Sequence, residues 1–261
     1  MKYFFYLSTF LLFFACKTTQ NMSKTSEISK KYRYSVDLTN TKDDVLRVHL
    51  DVPKLAQSKL SFVVPKIVPG IYGAMDFGQY VFDFQAFDSS GNLLETKKSD
   101  VNTWEINNAY SLAKITYNVK DTWDDFKNGA NGFYRSAGSS YEVDKVFVLN
   151  YNTFVGYFEG FEKVPFEVNF TKPKGFYGAS FLSPKPISEN VEQVNALNYN
   201  DLVDAPLMYS QPDTAWLKVG NTGVLVALYA KNQEKYAKPL ATFLEKILTY
   251  QKDYLGGKIT C

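Results

Sequence analysis

A chain of 261 residues carries 29 Lys and Arg against 27 Asp and Glu, and the resulting charge of +2 is spread along its length. That distribution lacks the basic stripe a nucleic-acid partner requires. One His and two Cys exclude most zinc sites and any disulfide framework, while 21 Phe and 19 Tyr favour strands around a large core.

The first stretch, "MKYFFYLSTFLLFFAC", has one cation, Lys2, followed by an apolar and hydroxyl run over residues 3–15. A spanning helix needs about 20 such residues, and an export signal roughly 7–15. Residues 1–16 therefore read as a secretory signal. Ala15-Cys16 resembles the lipobox of bacterial lipoproteins, which marks Cys16 for lipidation; Phe13 and Phe14 depart from the usual Leu-plus-small pattern. The expected location is an exported, membrane-anchored lipoprotein in the bacterial periplasm or at the cell surface. The alternative is a plain signal cleaved near Ala15. Residues 17–31 are polar and aperiodic and read as a flexible tether.

From residue 32 the period is two. Tyr34 and Val36, Leu46, Val48 and Leu50, and Leu60 and Phe62 alternate with polar neighbours, as half-buried strands do. "VPGIYGAMDFG" breaks the pattern into a loop. Tyr80, Phe82, Phe84 and Ala86 then share one predicted face, and "DSSGN" predicts a hairpin turn. Trp104 and Ile106, then residues 113–119, then Phe147, Leu149 and Tyr151, then Val164 through Phe170 give further strands, with a Gly- and Asn-rich loop at 121–140. Closely spaced strands with turns between them predict a two-layer antiparallel β-sandwich over 32–182.

Residues 183–212 have few strand formers and read as a connecting segment with short helical possibilities. Residues 213–261 predict a hairpin turning at Gly220-Asn221-Thr222-Gly223, then one long helix over 233–255. In that helix Tyr236, Leu240, Phe243, Leu244, Ile247, Leu248 and Tyr254 would form one apolar stripe, with Pro239 near its start and Gly256-Gly257 as its cap. The fold class is mainly β.

Several stretches together resemble the glycyl aminopeptidase family of metallopeptidases. They are "VPKIVPGIYGAMDFGQYVFDFQAFDSSGNLL", with a Pro-Gly-x-Tyr turn; "NTWEI", a Trp-containing strand; "YNDLVDAP", a Tyr-x-x-Leu-x-Asp-x-Pro joint; and "YLGGKI" after the long helix. The resemblance runs over 32–259. Ile67 or Val68 stands where the family usually has Trp, and Thr260 where it usually has Pro. The resemblance implies a β-rich N-terminal domain followed by the start of a thermolysin-like zinc domain, truncated here within 213–261. It also implies zinc in a full-length member, bound by an H-E-x-x-H helix and a later carboxylate. With a single His, this chain contains no such motif.

The remaining chemistry-bearing residues are few. His49 lies in a strand and reads as solvent-facing; Cys261 has no evident partner. Asp201 and Asp204 could be an acid–base pair, but Asp also favours helix starts and turns, so a structural joint is expected. Asp124 and Asp125 read as a solvated loop, and Asp76 as a cap or loop bond. No Ser/His/Asp set reads from the sequence, because His49 would have to be the base and no nucleophile elbow appears, and no phosphate loop does, since "GNTG" and "GANG" lack the following Lys and the strand-to-helix context. Expected catalytic and metal residues in this chain are therefore none, expected cofactors none, and Cys16 is the one modification site. A peptide substrate would follow only with a catalytic domain, and a membrane partner only through the lipid anchor. The alternative function is a stand-alone β-sandwich lipoprotein that binds a glycan or protein.

Overall fold

The computed structural model of the protein describes residues 31–71, 73–124 and 137–257. The signal, Cys16, the tether up to residue 30, Tyr72, Asp125 and Cys261 lie outside those residues. In chain order the strands are β1 (Tyr32–Asp37), β2 (Val45–Asp51), β3 (Lys59–Val63), β4 (Val81–Asp88), β5 (Thr96–Lys98), β6 (Thr103–Asn107), β7 (Leu112–Lys120), β8 (Ser140–Glu142), β9 (Val146–Leu149), β10 (Tyr157–Phe158), β11 (Phe166–Thr171), β12 (Tyr177–Ala179), β13 (Lys185–Pro186) and β14 (Val191–Ala196). A short helix α1 (Tyr199–Val203) follows, then β15 (Leu207–Ser210), β16 (Asp213–Val219), β17 (Thr222–Leu228) and the long helix α2 (Ala237–Tyr254).

Seven strands form one sheet in the order β13-β14-β11-β1-β2-β7-β4. Two four-stranded sheets, β10-β3-β6-β5 and β12-β15-β9-β8, build the second layer. Aromatic rings join the layers: Tyr32 meets Phe158 at 6.1 Å, Phe62 meets Tyr117 at 5.8 Å, and Phe170 meets Tyr209 at 5.5 Å between centroids. The alternation seen in β1, β2, β7 and β11 is the reason they line this core, since period-two side chains sort onto opposite faces.

The sheet is mixed. β1 and β11 run parallel, from Tyr32 opposite Phe166 to Asp37 opposite Thr171. The other strand pairs described are antiparallel, as the predicted sandwich requires; β1 beside β11 is the exception, because alternation reports which face a side chain takes and not which way its neighbour runs. Three local expectations also change. In β4 the face breaks at a bulge, where Asp83 (φ 51°) and Phe84 together oppose Tyr117. Tyr151 begins a 3₁₀ turn (Tyr151–Thr153) after β9 ends. Residues 183–212 hold three strands and one short helix; β14, despite its Glu, Gln and Asn, pairs along the whole of β11 and buries Val194 and Ala196.

Four tyrosines hold the segment 154–158, which runs from the 3₁₀ turn into β10, in the core. Tyr117 Oη donates to the Phe154 carbonyl (2.6 Å), Tyr199 Oη to the Val155 carbonyl (2.8 Å) and Tyr34 Oη to the Gly156 carbonyl (2.7 Å). The Phe158 N–H donates to Tyr32 Oη (2.9 Å). Buried backbone outside any ladder needs partners, and here side-chain hydroxyls supply them. Burial raises the pKa of all four hydroxyls. Gly156 is required for close approach, since a Cβ there would lie 2.4 Å from the Phe62 ring.

The C-terminal hairpin turns on two residues, Gly220 and Asn221, with Val219 paired directly to Thr222, so Thr222 and Gly223 belong to the strand. Gly220 takes φ 61°, which a tight hairpin turn demands. β16, β17 and α2 share a separate small core of Leu217, Val219, Val226, Ala237 and Ala241, with Leu240, Leu244 and Leu248 packed against it. α2 starts at Ala237, where Asp213 Oδ2 accepts the Ala237 N–H at 2.7 Å. The single predicted stripe divides into two faces. One meets the hairpin, while Phe243, Ile247 and Tyr254 lie on the other, joined there by Tyr250, which the predicted stripe does not include; Tyr250 is 76% and Tyr254 90% exposed.

Candidate functional site

Asp201 sits in the first turn of α1 and Asp204 at its C-terminal end. Asn198 is the N-cap: its Oδ1 accepts the Asp201 N–H (3.0 Å), and its Nδ2 donates to Asp201 Oδ2 (2.8 Å). This is a reciprocal cap with an acidic residue in the first turn, where the helix favours negative charge. Asp204 is the C-cap, its N–H bonded to the Asn200 carbonyl. Both carboxylates are exposed. Leu202 and Ala205 are buried beneath them, so "NDLVDAP" is a structural joint.

Asp76 is a loop bond. It takes φ 49° before the 3₁₀ turn at Phe77–Tyr80 and accepts from Asn102 Nδ2 (2.8 Å), while Asn102 Oδ1 accepts the Gly78 N–H (3.0 Å). The Pro69-Gly70 turn lines a cavity of about 220 Å³ with Asn150, Asn152 and Val203.

Sequence reasoning missed a buried polar cluster beside this cavity. Asp121 accepts the N–H groups of Trp123 (2.6 Å) and Tyr141 (2.7 Å). Burial holds its carboxyl above the usual carboxylate range, with those N–H bonds pulling the other way. Ser139 Oγ lies 2.7 Å from Thr153 Oγ1, and Asn150 Nδ2 donates to the Gly138 carbonyl at 2.6 Å. A local signal does exist: Asp-Thr-Trp is an Asx-turn pattern, in which the carboxylate bonds backbone two residues on.

Two larger concavities lie elsewhere among the described residues. One, of about 740 Å³, lies between the sandwich and the hairpin and is walled by Tyr177, Trp216 and Tyr229, with Asp144, Gln211 and Glu234. The other, of about 940 Å³, lies on the open face of the seven-stranded sheet and includes His49.

His49 Nε2 sits 3.3 Å from Asp51 Oδ1. Among the described residues no group of three or more His, Cys, Asp or Glu is placed to hold a metal ion. The zinc expected in full-length relatives therefore does not fit these residues, since a hydrolytic site needs three ligands. No helix of the described residues is long and apolar enough to cross a membrane.

Fold and geometry together define a mixed β-sandwich module with a hairpin–helix unit at its C-terminal side. Residues 33–211 match the family model described as the Peptidase M61 N-terminal domain. The chain belongs to that family. A solved aminopeptidase N family protein from Idiomarina loihiensis is similar in fold, with TM-score 0.73 and 17% identity over 85% of this chain. This chain spans 36% of the length of that protein. An M1 zinc metallopeptidase from Deinococcus radiodurans aligns with TM-score 0.42 and 12% identity, over 83% of this chain and 52% of its own. No curated protein matches.

Proposed function

We propose that this chain is the N-terminal, non-catalytic part of an exported, aminopeptidase-like zinc metallopeptidase, anchored at a membrane surface through lipidated Cys16. The sandwich supports the catalytic domain, and β16, β17 and α2 are the first elements of that domain. Family membership over 33–211 supports the class.

The observation that carries the reading is the second apolar face of α2. Phe243, Ile247, Tyr250 and Tyr254 follow one another at steps of four, three and four, the spacing of a helix seam. A helix apolar on two sides is stable when both are covered. The hairpin covers one. A further helix of a zinc domain would cover the other, whereas a stand-alone sandwich lipoprotein would leave it in water.

Reading the coding DNA past Cys261 tests this. An in-frame H-E-x-x-H is expected; a stop codon with no such motif in any frame refutes it. The chain alone, given zinc, is expected to leave N-terminal Gly and Ala peptides intact, and turnover abolished by a chelator refutes the non-catalytic assignment. Cys16→Ala is expected to move the protein from the membrane fraction to the soluble one; unchanged membrane association refutes the anchor.

A further inference from the structure

The open face of the seven-stranded sheet plays no part in that reading, yet its side chains are ordered in an unusual way. The registers align one residue from each strand into a single row: Lys185, Gln193, Asn169, Ser35, His49, Thr116 and Gln85. From Gln193 to Gln85 the row holds amide, hydroxyl and imidazole groups, with no Lys, Arg, Asp or Glu. Strands lie about 4.8 Å apart, so these six groups repeat at that interval over about 24 Å.

The end of the row from Ser35 to Gln85 floors the concavity of about 940 Å³. The charged groups around it are already engaged. Asp37 Oδ1 accepts the Thr39 N–H (2.9 Å) and Thr39 Oγ1 (2.6 Å). Arg47 Nη1 donates to the Asn40 carbonyl (2.6 Å), and Asp83 Oδ2 accepts from Asn118 Nδ2 (3.1 Å). By contrast the side chains of Ser35, Thr116 and Gln85 make no hydrogen bond among the described residues. The bulge in β4 shapes this end. It turns the Phe84 ring inward, 5.0 Å from Trp104 and 5.4 Å from Phe62, and brings Gln85 back to the open face beside Thr116.

We infer that this concavity is a binding groove for a neutral polyhydroxylated ligand, an oligosaccharide laid across the strands. An ionic ligand would meet charges of both signs that already have partners. An apolar ligand would strip water from unpaired polar groups, at a cost no contact offsets. A chain of hydroxyls can both donate to and accept from amides and hydroxyls at a regular interval. An extended peptide adds to a sheet at its edge, not across its face. Each hydrogen bond exchanges with water and gains little, so affinity comes from several contacts made together.

Calorimetric titration of the purified chain with maltohexaose, cellohexaose, xylohexaose and N-acetylchitohexaose tests the inference. Saturable binding of at least one is expected. Ser35→Ala combined with Gln85→Ala is expected to weaken it about tenfold or more, as the loss of two hydrogen bonds implies. His49→Ala is the second variant, expected to weaken it in the same direction. Trp216→Ala, in the separate groove beside the hairpin, is expected to leave binding unchanged. All the substituted side chains are at least partly exposed, so the unfolding midpoint should be retained. Saturation by none of the four sugars overturns the inference, as does saturation only by a neutral Ser- and Gln-rich peptide. Binding that survives the substitutions on the sheet face, or that Trp216→Ala abolishes, overturns it as well.

Discussion

Tyr34→Phe removes one oxygen and leaves the ring. Its hydroxyl is buried and donates to the Gly156 carbonyl at 2.7 Å. The segment carrying that carbonyl cannot slide to another donor, because Gly156 already lies against the Phe62 ring and its neighbours are tied to Tyr117 and Tyr199. A buried acceptor left without a partner costs about 1–3 kcal/mol, and the near-constant volume adds little to that. For a domain of this size 1 kcal/mol corresponds to about 2–4 °C, so the unfolding midpoint should fall by about 2–12 °C. The assay is thermal and urea unfolding of the variant beside Tyr110→Phe, whose side chain is exposed and whose midpoint should not move. A Tyr34→Phe midpoint equal to that of the unmodified chain would refute the claim that hydroxyls are the partners of this backbone.

The same tyrosines set an alkaline limit. Their folded pKa values are raised by burial, whereas the unfolded chain ionises them near pH 10, so their contribution is complete below that pH and is lost as pH rises beyond it. Tyr32, Tyr34, Tyr117 and Tyr199 together should make stability fall by about 5 kcal/mol per pH unit above pH 10, read from urea midpoints and tyrosinate absorbance. Ionisation of all 19 tyrosines near pH 10 with the circular dichroism retained would contradict this. At the other end of the chain, Asp213→Ala deletes the acceptor for the Ala237 N–H and should destabilise the hairpin–helix unit by about 1 kcal/mol, while Asp213→Asn keeps most of it. An equal loss in both variants, measured by urea unfolding, would show that the charge matters and the cap bond does not.

Part of the candidate chemistry is legible in the residue order. Asn198 three residues before Asp201 is a capping pattern, and the fold contains that cap. His49 alternates with Val48 and Leu50 and stands on the open face, as the period requires. Asp121 is not legible as a buried acid, because its depth depends on Tyr141, which is 20 residues away in sequence. The polar row on the sheet is not legible either: Ser35 and Gln85 join one line only through the registers of three strand pairs.

Residue order alone dictates which segments alternate, where the chain turns and that one long helix follows the last hairpin, because period, Gly and Pro act within a few residues. Long-range packing, by contrast, makes β1 and β11 run parallel, makes β14 a strand, and divides the apolar surface of α2 between a covered and an uncovered face. Those outcomes depend on which distant segment arrives alongside, and local residue order does not encode it.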